Sequence, residues 1–150
     1  MRIVTGDMFT GRCDVLLVTT NAVVRNDGRL VMGRGAARTA VLKYPKCDLV
    51  FGSMVRDFGP NYGVLYYAPK PDLRLGIFQV KQHWADKADL HLIQRSVDVL
   101  RSTCTNLWKN RSVRLNFPGI GNGRLTEEQV LPLLRDLPDN VTIWKWAPPV

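Results

Sequence analysis

Two glycine-rich segments are the parts of the sequence best suited to holding an anion. Residues 33–35 (Gly-Arg-Gly) precede a predicted helix, and residues 119–123 (Gly-Ile-Gly-Asn-Gly) follow a predicted strand. Glycine permits positive φ and close backbone approach, and a helix N-terminus offers unpaired N–H groups. Two such loops on one edge of a sheet could grip a diphosphate, although each alone also fits a tight turn. Neither has the Gly-Lys-Ser/Thr of a P-loop or a full Gly-x-Gly-x-x-Gly, which excludes Walker-type NTPases and Rossmann dinucleotide-binding proteins.

Lys81 is the residue best placed for covalent chemistry. It directly follows the apolar strand predicted over residues 75–80, at the strand end where α/β sheets bind ligands. A lysine amine is a nucleophile only when unprotonated, so its pKa must fall from about 10.4 through burial or cationic neighbours. We expect the basic loop that contains Arg25 and Arg29, together with Arg34, to contribute to this effect. An ordinary solvated lysine would show the same local sequence.

The two aromatic residues near Lys81 each have two interpretations. His83 could act as an acid or base because the ordinary pKa of imidazole is close to neutral, or it could be a hydrogen-bonded turn residue. Trp84 could stack on a base of single-stranded DNA, or it could pack under the following helix. His91 and the three cysteines do not have the spacing of metal ligands. We therefore expect no metal and no cofactor.

Strand and helix signals alternate along the chain, which indicates an α/β fold. The predicted strands cover residues 2–5, 14–20, 63–68, 75–80, 113–117 and 141–146, and helical segments are predicted at about 33–43, 47–57, 89–108 and 126–134. The continuous β-branched run at residues 14–20 is typical of a strand buried on both faces. The turn at residues 69–72 predicts a hairpin, which makes the sheet mixed. The expected architecture is a three-layer α/β/α sandwich with a central mixed β-sheet.

Local patterns define the two later helices. Apolar residues recur at three- and four-residue steps through the longest helix, and this predicted buried stripe consists of Leu92, Ile93, Val97, Leu100, Cys104 and Leu107. Thr126 with Gln129 three residues later is the signature of a capping box, so we predict that the last helix begins there.

The composition is that of a globular protein with a basic surface. The chain has 150 residues, of which 45% are apolar, and a formal net charge of +8. We expect a single domain over residues 1–150, a monomer, and a core that needs no disulfide. No apolar run reaches the ~18 residues that span a bilayer, and the three widely spaced cysteines suggest free thiols in the cytoplasm. The positive charge favours a polyanionic partner such as nucleic acid.

Segments near the ends of the first two strands resemble those of the ADP-ribose-binding macrodomains. Residues 5–9 (Thr-Gly-Asp-Met-Phe) follow the first strand, and residues 20–21 (Thr-Asn) end the second. Residues 32–37 (Met-Gly-Arg-Gly-Ala-Ala) then open the first helix. The resemblance continues over nearly the whole chain, with its motifs in the same order.

Two later segments resemble DarG-type macrodomains in particular, a group of antitoxins that remove ADP-ribose from DNA. Residues 80–84 (Val-Lys-Gln-His-Trp) are similar to the Thr-Lys-x-His-Trp segment of that group. Residues 119–125 are similar to its Gly-Cys-Gly-Asn-Gly-Gly-Leu loop, with Ile120 in place of the cysteine and Arg124 in place of a glycine.

The resemblance implies a binding role for each matching residue. Asp7 would accept a hydrogen bond from the adenine amine, beside the Met8 backbone. Asn21 would hold the distal ribose, and Trp144 would pack near the adenine. The residues implied to bind the ribose and the diphosphate through the glycine segments are Gly33, Arg34, Gly35, Ala36, Pro118, Gly119, Ile120, Gly121, Asn122 and Gly123.

The resemblance also implies a reaction. Lys81 would attack the anomeric carbon of ADP-ribose attached to a base, the glycosidic bond would break, and water would hydrolyse the sugar adduct; His83 is the second catalytic candidate. No acid occurs between Asn116 and Thr126, so the lysine–aspartate pair of related protein-directed hydrolases is not expected. The expected function is an ADP-ribosyl glycohydrolase acting on ADP-ribosylated DNA. The alternatives are a hydrolase of protein-linked ADP-ribose or of ADP-ribose 1″-phosphate, and a reader that binds ADP-ribose without turnover.

Overall fold

The elements follow one another in the order that the sequence predicts. The computed structural model describes residues 1–147. The strands in this range are β1 (Arg2–Thr5), β2 (Val15–Thr20), β3 (Val64–Lys70), β4 (Leu73–Gln79), β5 (Val113–Asn116) and β6 (Val141–Lys145). The helices are α1 (Gly35–Lys43), α2 (Cys47–Phe58), α3 (Leu90–Thr105) and α4 (Glu127–Leu134), and a 3₁₀ turn covers Gly121–Gly123.

The strands form one sheet in the order β1-β6-β5-β2-β4-β3. All neighbouring pairs are parallel except β3, which runs antiparallel to β4. Helices α1 and α2 contribute to the core on one face, and α3 and α4 to the core on the other. Leu17 and Val18 of β2 are consequently buried on opposite faces. The predicted three-layer sandwich with a mixed sheet is confirmed.

The hairpin is longer than predicted, and its turn is shorter. β3 continues to Lys70 and β4 begins at Leu73, so the turn is formed by Pro71 and Asp72 rather than by residues 69–72. A register shift between Tyr67 and Lys70 accommodates Pro69. Proline has no N–H to donate, and it is tolerated because β3 lies at the edge of the sheet.

Helix α3 ends earlier than predicted, and this changes which side chain is buried. The five stripe residues from Leu92 to Cys104 are buried, as expected. The inclusion of Leu107 is wrong: it is 65% exposed, whereas Trp108 is 3% exposed and contacts Tyr66 edge-on. Because α3 ends at Thr105, helical spacing does not determine which later side chain is buried. The turn that follows the helix brings Trp108 into the core instead.

Side chains at the start of α3 and α4 explain where these helices begin. Asp89 accepts hydrogen bonds from the backbone N–H groups of His91 and Leu92, at 2.8 and 3.4 Å. Thr126 and Gln129 form the predicted capping box at α4. Both caps satisfy N–H groups that have no partner within the helix.

Residues 1–147 contain no helix that combines the length and apolar character needed to cross a membrane. The same part of the chain contains no group of three or more His, Cys, Asp or Glu side chains arranged to hold a metal ion. Cys13, Cys47 and Cys104 are free thiols, and the last two are buried.

Candidate functional site

Loops that follow β1, β2, β4 and β5 meet at one edge of the sheet. This is the carboxyl edge of the parallel strands, where open α/β sheets bind ligands. The loop after β2 leads into the first glycine segment, residues 33–35, and the loop after β5 contains the second, residues 119–123. A side chain at Gly35 would meet the amide nitrogen of Asn122 at 4.0 Å. The fold therefore brings the two distant glycine segments face to face.

Lys81 lies in the loop after β4 and reaches the second glycine segment. The residue is only 8% exposed. Its amine donates hydrogen bonds to the backbone carbonyls of Trp84, Asp86 and Asn122, each at 3.2 Å. Three acceptors match the three hydrogens of an ammonium group. The amine therefore ties its own loop to the second glycine segment, and it must release a proton before it can act as a nucleophile.

The surroundings of Lys81 lower the pKa of its amine from the ordinary value. Burial is the largest cause, because it penalises the charged form. The positive charges of Arg124 and Arg34 act in the same direction, and the negative charge of Asp86 opposes them. Arg34 in the first glycine segment and Arg124 directly after the second thus favour the neutral, nucleophilic form of the amine.

Two arginines of the basic loop between β2 and α1 are paired with carboxylates. Arg29 pairs with Asp48 at 2.8 Å, and Arg25 pairs with Asp27 at 3.4 Å. The prediction that Arg25 and Arg29 lower the pKa of Lys81 is therefore wrong, whereas Arg34 acts in the predicted direction. Their nearness to the first glycine segment in the sequence does not place them beside the amine.

The two ends of the second glycine segment are packed against the body of the protein, while Gly121 and Asn122 in its middle are exposed. Gly119 has a φ of 79°, and a Cβ there would lie 2.9 Å from side-chain atoms of both Ile93 and Leu125. The carbonyl of Gly123 accepts a hydrogen bond from the Ala88 N–H at 2.9 Å. Glycine at position 119 is thus required by the backbone conformation and by the close packing.

Arg124 follows this segment in a left-handed conformation, with a φ of 60°. This backbone region favours glycine, and a side chain there costs roughly 1–2 kcal/mol. The guanidinium donates a hydrogen bond to the Ala85 carbonyl at 2.9 Å. Arg124 is thus a further link between the second glycine segment and the Lys81 loop.

The first glycine segment is exposed. Gly33, Arg34 and Gly35 are all open to solvent, and a side chain at Gly33 would meet nothing within 4 Å. Arg34 occupies the N-cap position of α1, but its side chain does not cap the helix, so the N–H groups of the first turn stay open. Ala36 is half-buried in that turn. These open N–H groups are suited to an anion.

Asn21 is buried at the end of β2 and closes the loop that follows. Its Oδ1 accepts a hydrogen bond from the Val23 N–H at 2.9 Å, and its Nδ2 donates to the Val31 carbonyl at 3.0 Å. One amide hydrogen and one lone pair remain for a ligand. The hydroxyl of neighbouring Thr20 is buried without a hydrogen-bond partner.

The loop after β1 is held by Arg114 of β5. The Arg114 guanidinium donates to the Met8 carbonyl at 2.8 Å and lies 4.9 Å from the centre of the Trp144 ring. Asp7 is exposed, and one of its carboxylate oxygens accepts the Phe9 N–H at 2.9 Å. Trp144 is half-buried, and its indole N–H has no partner. Asp7, Met8 and Trp144 therefore lie in one region of the carboxyl edge.

His83 and Trp84 project from the Lys81 loop. The Nδ1 atom of His83 accepts the Ala85 N–H at 3.0 Å, which leaves Nε2 for acid–base chemistry. The two rings are 4.8 Å apart between centroids. Trp84 is 56% exposed, so the interpretation in which it packs under the long helix is wrong.

Sequence reasoning missed two residues that shape the site. Asp86 opposes the lowering of the Lys81 pKa, and its place in the same loop was the only signal. Arg114 holds the loop of Asp7 and Met8 across a long stretch of chain, and no local pattern indicates this.

Two shallow cavities lie outside the glycine segments and away from Lys81. The larger, about 180 Å³, is lined by Asp14, Arg74 and Trp108 near the amino ends of the strands. The other lies beside Met8 and Tyr44.

Comparison with known proteins rests on the fold. No protein-family model matches the sequence, and no curated protein is significantly similar to it. The macrodomain of Thermus aquaticus DarG is similar in structure, with a TM-score of 0.80 and 23% identity over 98% of this chain and 97% of that one. The macrodomain of Mycobacterium tuberculosis DarG gives a TM-score of 0.77 and 23% identity, over 99% of this chain and 97% of that one. Thermosipho africanus DarTG in complex with ADP-ribose gives a TM-score of 0.79 and 20% identity. The match covers 97% of this chain but only 42% of that one. The chain has the macrodomain fold.

Proposed function

We propose that the protein binds ADP-ribose at the carboxyl edge of the sheet and removes it from ADP-ribosylated DNA. In this proposal the adenine lies beside Asp7 and Met8, and the diphosphate lies between the two glycine segments. The distal ribose lies beside Asn21, with its anomeric carbon facing Lys81. A structural neighbour solved with ADP-ribose supports the choice of ligand.

The observation that carries the proposal is the buried Lys81 amine in contact with the second glycine segment. Lysines are rarely buried, because their charged amine is costly to remove from water. Here the amine contacts the Asn122 carbonyl, and burial together with Arg124 and Arg34 lowers its pKa. A lowered pKa increases the fraction of neutral amine near pH 7, which is the form able to attack carbon.

The reaction consumes one water molecule. The lone pair of the neutral Lys81 amine forms a bond to the anomeric carbon, and the bond from that carbon to the DNA base breaks. The electron pair leaves with the base, which takes up a proton from water or from His83. The attached amine loses a proton, which balances the one taken up by the base. Water then displaces the lysine: its oxygen bonds to the anomeric carbon while the carbon–nitrogen bond to Lys81 breaks. The proton that this water loses goes to the leaving nitrogen, so ADP-ribose departs and the neutral amine is restored.

Charge favours DNA over protein as the carrier of the ADP-ribose. Arg34 lies in the first glycine segment and Arg124 directly follows the second, so a diphosphate between them would meet positive charge from both sides. Pairing these two arginines with a diphosphate would use only a small part of the net charge of +8, so positive charge remains for a nucleic-acid backbone. ADP-ribosylated protein is the alternative substrate class.

Lys81→Arg is the sharpest test, because arginine keeps the positive charge and the hydrogen-bond donors but does not deprotonate. We expect release of ADP-ribose from a modified single-stranded oligonucleotide to fall about a hundredfold or more in Lys81→Arg and in Lys81→Ala. Calorimetry should find free ADP-ribose bound within a few-fold of the wild-type affinity in Lys81→Arg. Lys87→Ala, an exposed lysine of the same loop, is the matched control and should hydrolyse at the wild-type rate.

The same assay offers the wild-type protein an ADP-ribosylated protein in parallel. Faster release of ADP-ribose from the oligonucleotide would support DNA as the substrate. Faster release from the protein would show that ADP-ribosylated protein is the substrate instead. Full activity of Lys81→Arg would eliminate the lysine mechanism, and release from neither substrate would eliminate both hydrolase functions.

Binding without turnover is the second candidate, and one feature of the site favours it. The three carbonyls around Lys81 stabilise an ammonium group, and residues 117–125 contain no acid to accept its proton. In a reader, Lys81 would only hold the loops together. Lys81→Ala would then weaken ADP-ribose binding, whereas the wild-type protein would bind the modified oligonucleotide and release nothing.

A further inference from the structure

Two aromatic side chains stand exposed at the end of α2. Phe58 is the last residue of that helix, and Tyr62 lies in the loop that follows. They are 55% and 40% exposed, and their ring centroids are 5.1 Å apart. We call this pair the aromatic corner. Each ring is only partly covered by the other, so apolar ring surface stays in contact with solvent.

A buried glutamine holds the aromatic corner in place. Gln79 is fully buried; its Nε2 donates to the Gly59 carbonyl at 3.2 Å, and its Oε1 accepts the Gly63 N–H at 2.7 Å. These two glycines flank the loop of Tyr62, and both have positive φ, 100° and 115°. Gln79 also ends β4, two residues before Lys81. The same strand end therefore fixes the position of the corner and of the amine.

A second contact joins the aromatic corner to the residues after Lys81. Gln82 Nε2 donates to Asn61 Oδ1 at 3.2 Å. Asn61 precedes Tyr62, and Gln82 lies between Lys81 and the exposed ring of Trp84. This hydrogen bond therefore joins the loop of the aromatic corner to the loop that carries both Lys81 and the exposed Trp84.

We propose that the aromatic corner and Trp84 bind single-stranded DNA, with unmodified bases stacked on these rings while the ADP-ribosylated base lies at Lys81. This inference rests on the proposed function and adds the surface that receives the rest of the DNA. Exposed aromatic rings on a basic protein match single-stranded nucleic acid, since every base has a face that stacks. Next to the corner, the Arg56 guanidinium donates a hydrogen bond to the Arg25 carbonyl at 3.2 Å, and Asp57 carries a negative charge, so stacking must supply the binding there. Duplex bases are already stacked on each other and are not open to these rings.

The test uses an unmodified single-stranded oligonucleotide, so that its result does not depend on hydrolysis. Fluorescence anisotropy should show about five- to twentyfold weaker binding for Tyr62→Ala and for Trp84→Ala, and a larger loss for the Phe58→Ala/Tyr62→Ala double variant. These factors should be the same at low and at high salt, because stacking releases no counterions. Leu107→Ala, which removes an exposed apolar side chain near the opposite end of the sheet, should bind like the wild type.

Tyr62→Phe separates stacking from a general effect on folding, because it keeps the ring face. It should bind the oligonucleotide like the wild type, and free ADP-ribose should bind all variants equally. Three results would each overturn the proposal. The double variant could bind the oligonucleotide with wild-type affinity, or Tyr62→Phe could lose as much affinity as Tyr62→Ala. The duplex form of the oligonucleotide could also compete for binding as well as the single strand. If no modified substrate is hydrolysed but the alanine variants still bind single-stranded DNA more weakly, the proposed function is wrong and the proposed DNA-binding surface is supported.

Discussion

The two glycine segments look alike in the sequence, yet the fold uses them differently. The first, residues 33–35, is exposed, and a side chain at Gly33 would meet no neighbouring atom within 4 Å. The second, residues 119–123, is packed at its ends: a side chain at Gly119 would press against Ile93 and Leu125, and Gly123 is buried, while Gly121 and Asn122 between them are exposed. The first segment is therefore open along its whole length, while the second is fixed at both ends to the core and to the Lys81 loop.

The difference extends to the arginine that each segment carries. Arg34 extends from the open N-terminus of α1 and makes no capping bond. Arg124 is held by the Ala85 carbonyl and has the larger effect of the two on the pKa of Lys81. A rigid segment thus positions its charge beside the amine, and an exposed segment leaves its charge free to meet the ligand.

The largest effect that we predict is on stability, at Gly119. Alanine there must adopt a positive φ and also overlap two core side chains. The free energy of unfolding should fall by about 2–4 kcal/mol, which combines the cost of the left-handed backbone with that of overpacking. Urea denaturation measures the loss. A loss no greater than that of Gly33→Ala would show that the two segments are equivalent after all.

The second prediction concerns the pH dependence of hydrolysis. The neutral amine is the reactive form, so kcat should rise with pH and level off above the pKa of Lys81, which lies below the ordinary value of about 10.4. Arg124→Gln removes a nearby positive charge and raises this pKa, so the rising limb should move to higher pH and the rate at neutral pH should fall a few-fold.

Two other arginines serve as comparisons for this shift. Arg34→Gln should move the limb in the same direction but less far, since Arg34 has the smaller effect on Lys81. Arg38→Gln, on the exposed side of α1, should leave the limb unchanged. Profiles of kcat against pH for the three variants provide the measurement, and an equal shift in all of them would point to net charge rather than to position.

The smallest effect is expected at Gly33. A methyl group there meets no neighbour, so Gly33→Ala should change the free energy of unfolding by no more than about 0.5 kcal/mol. Affinity for free ADP-ribose should nevertheless fall a few-fold, because the ligand is proposed to approach this backbone closely. Urea denaturation and calorimetry on the same sample separate the two effects. Unchanged affinity would remove the first segment from the binding site.

Features that depend on near neighbours in the chain were predicted well. The buried strand β2, the hairpin and the capping box of α4 follow from residue patterns a few positions long, and the structure contains all three. The resemblance to macrodomains also held at the level of the fold. The errors lie where the outcome depends on contacts between distant parts of the chain. Leu107, for example, is exposed, and Trp108 is buried in the core in its place.

The sequence by itself determined the order of the elements, the position of Lys81 and the second glycine segment after strand ends, and the position of the first glycine segment at the start of a helix. Periodicity, turn residues and capping residues act over a few positions, so they can be read without the fold. Only the tertiary structure decided which groups surround the amine: the carbonyls of Trp84, Asp86 and Asn122, and the charge of Arg124 rather than of Arg25 and Arg29. Burial and charge act through space, and their partners exist only once the loops have met.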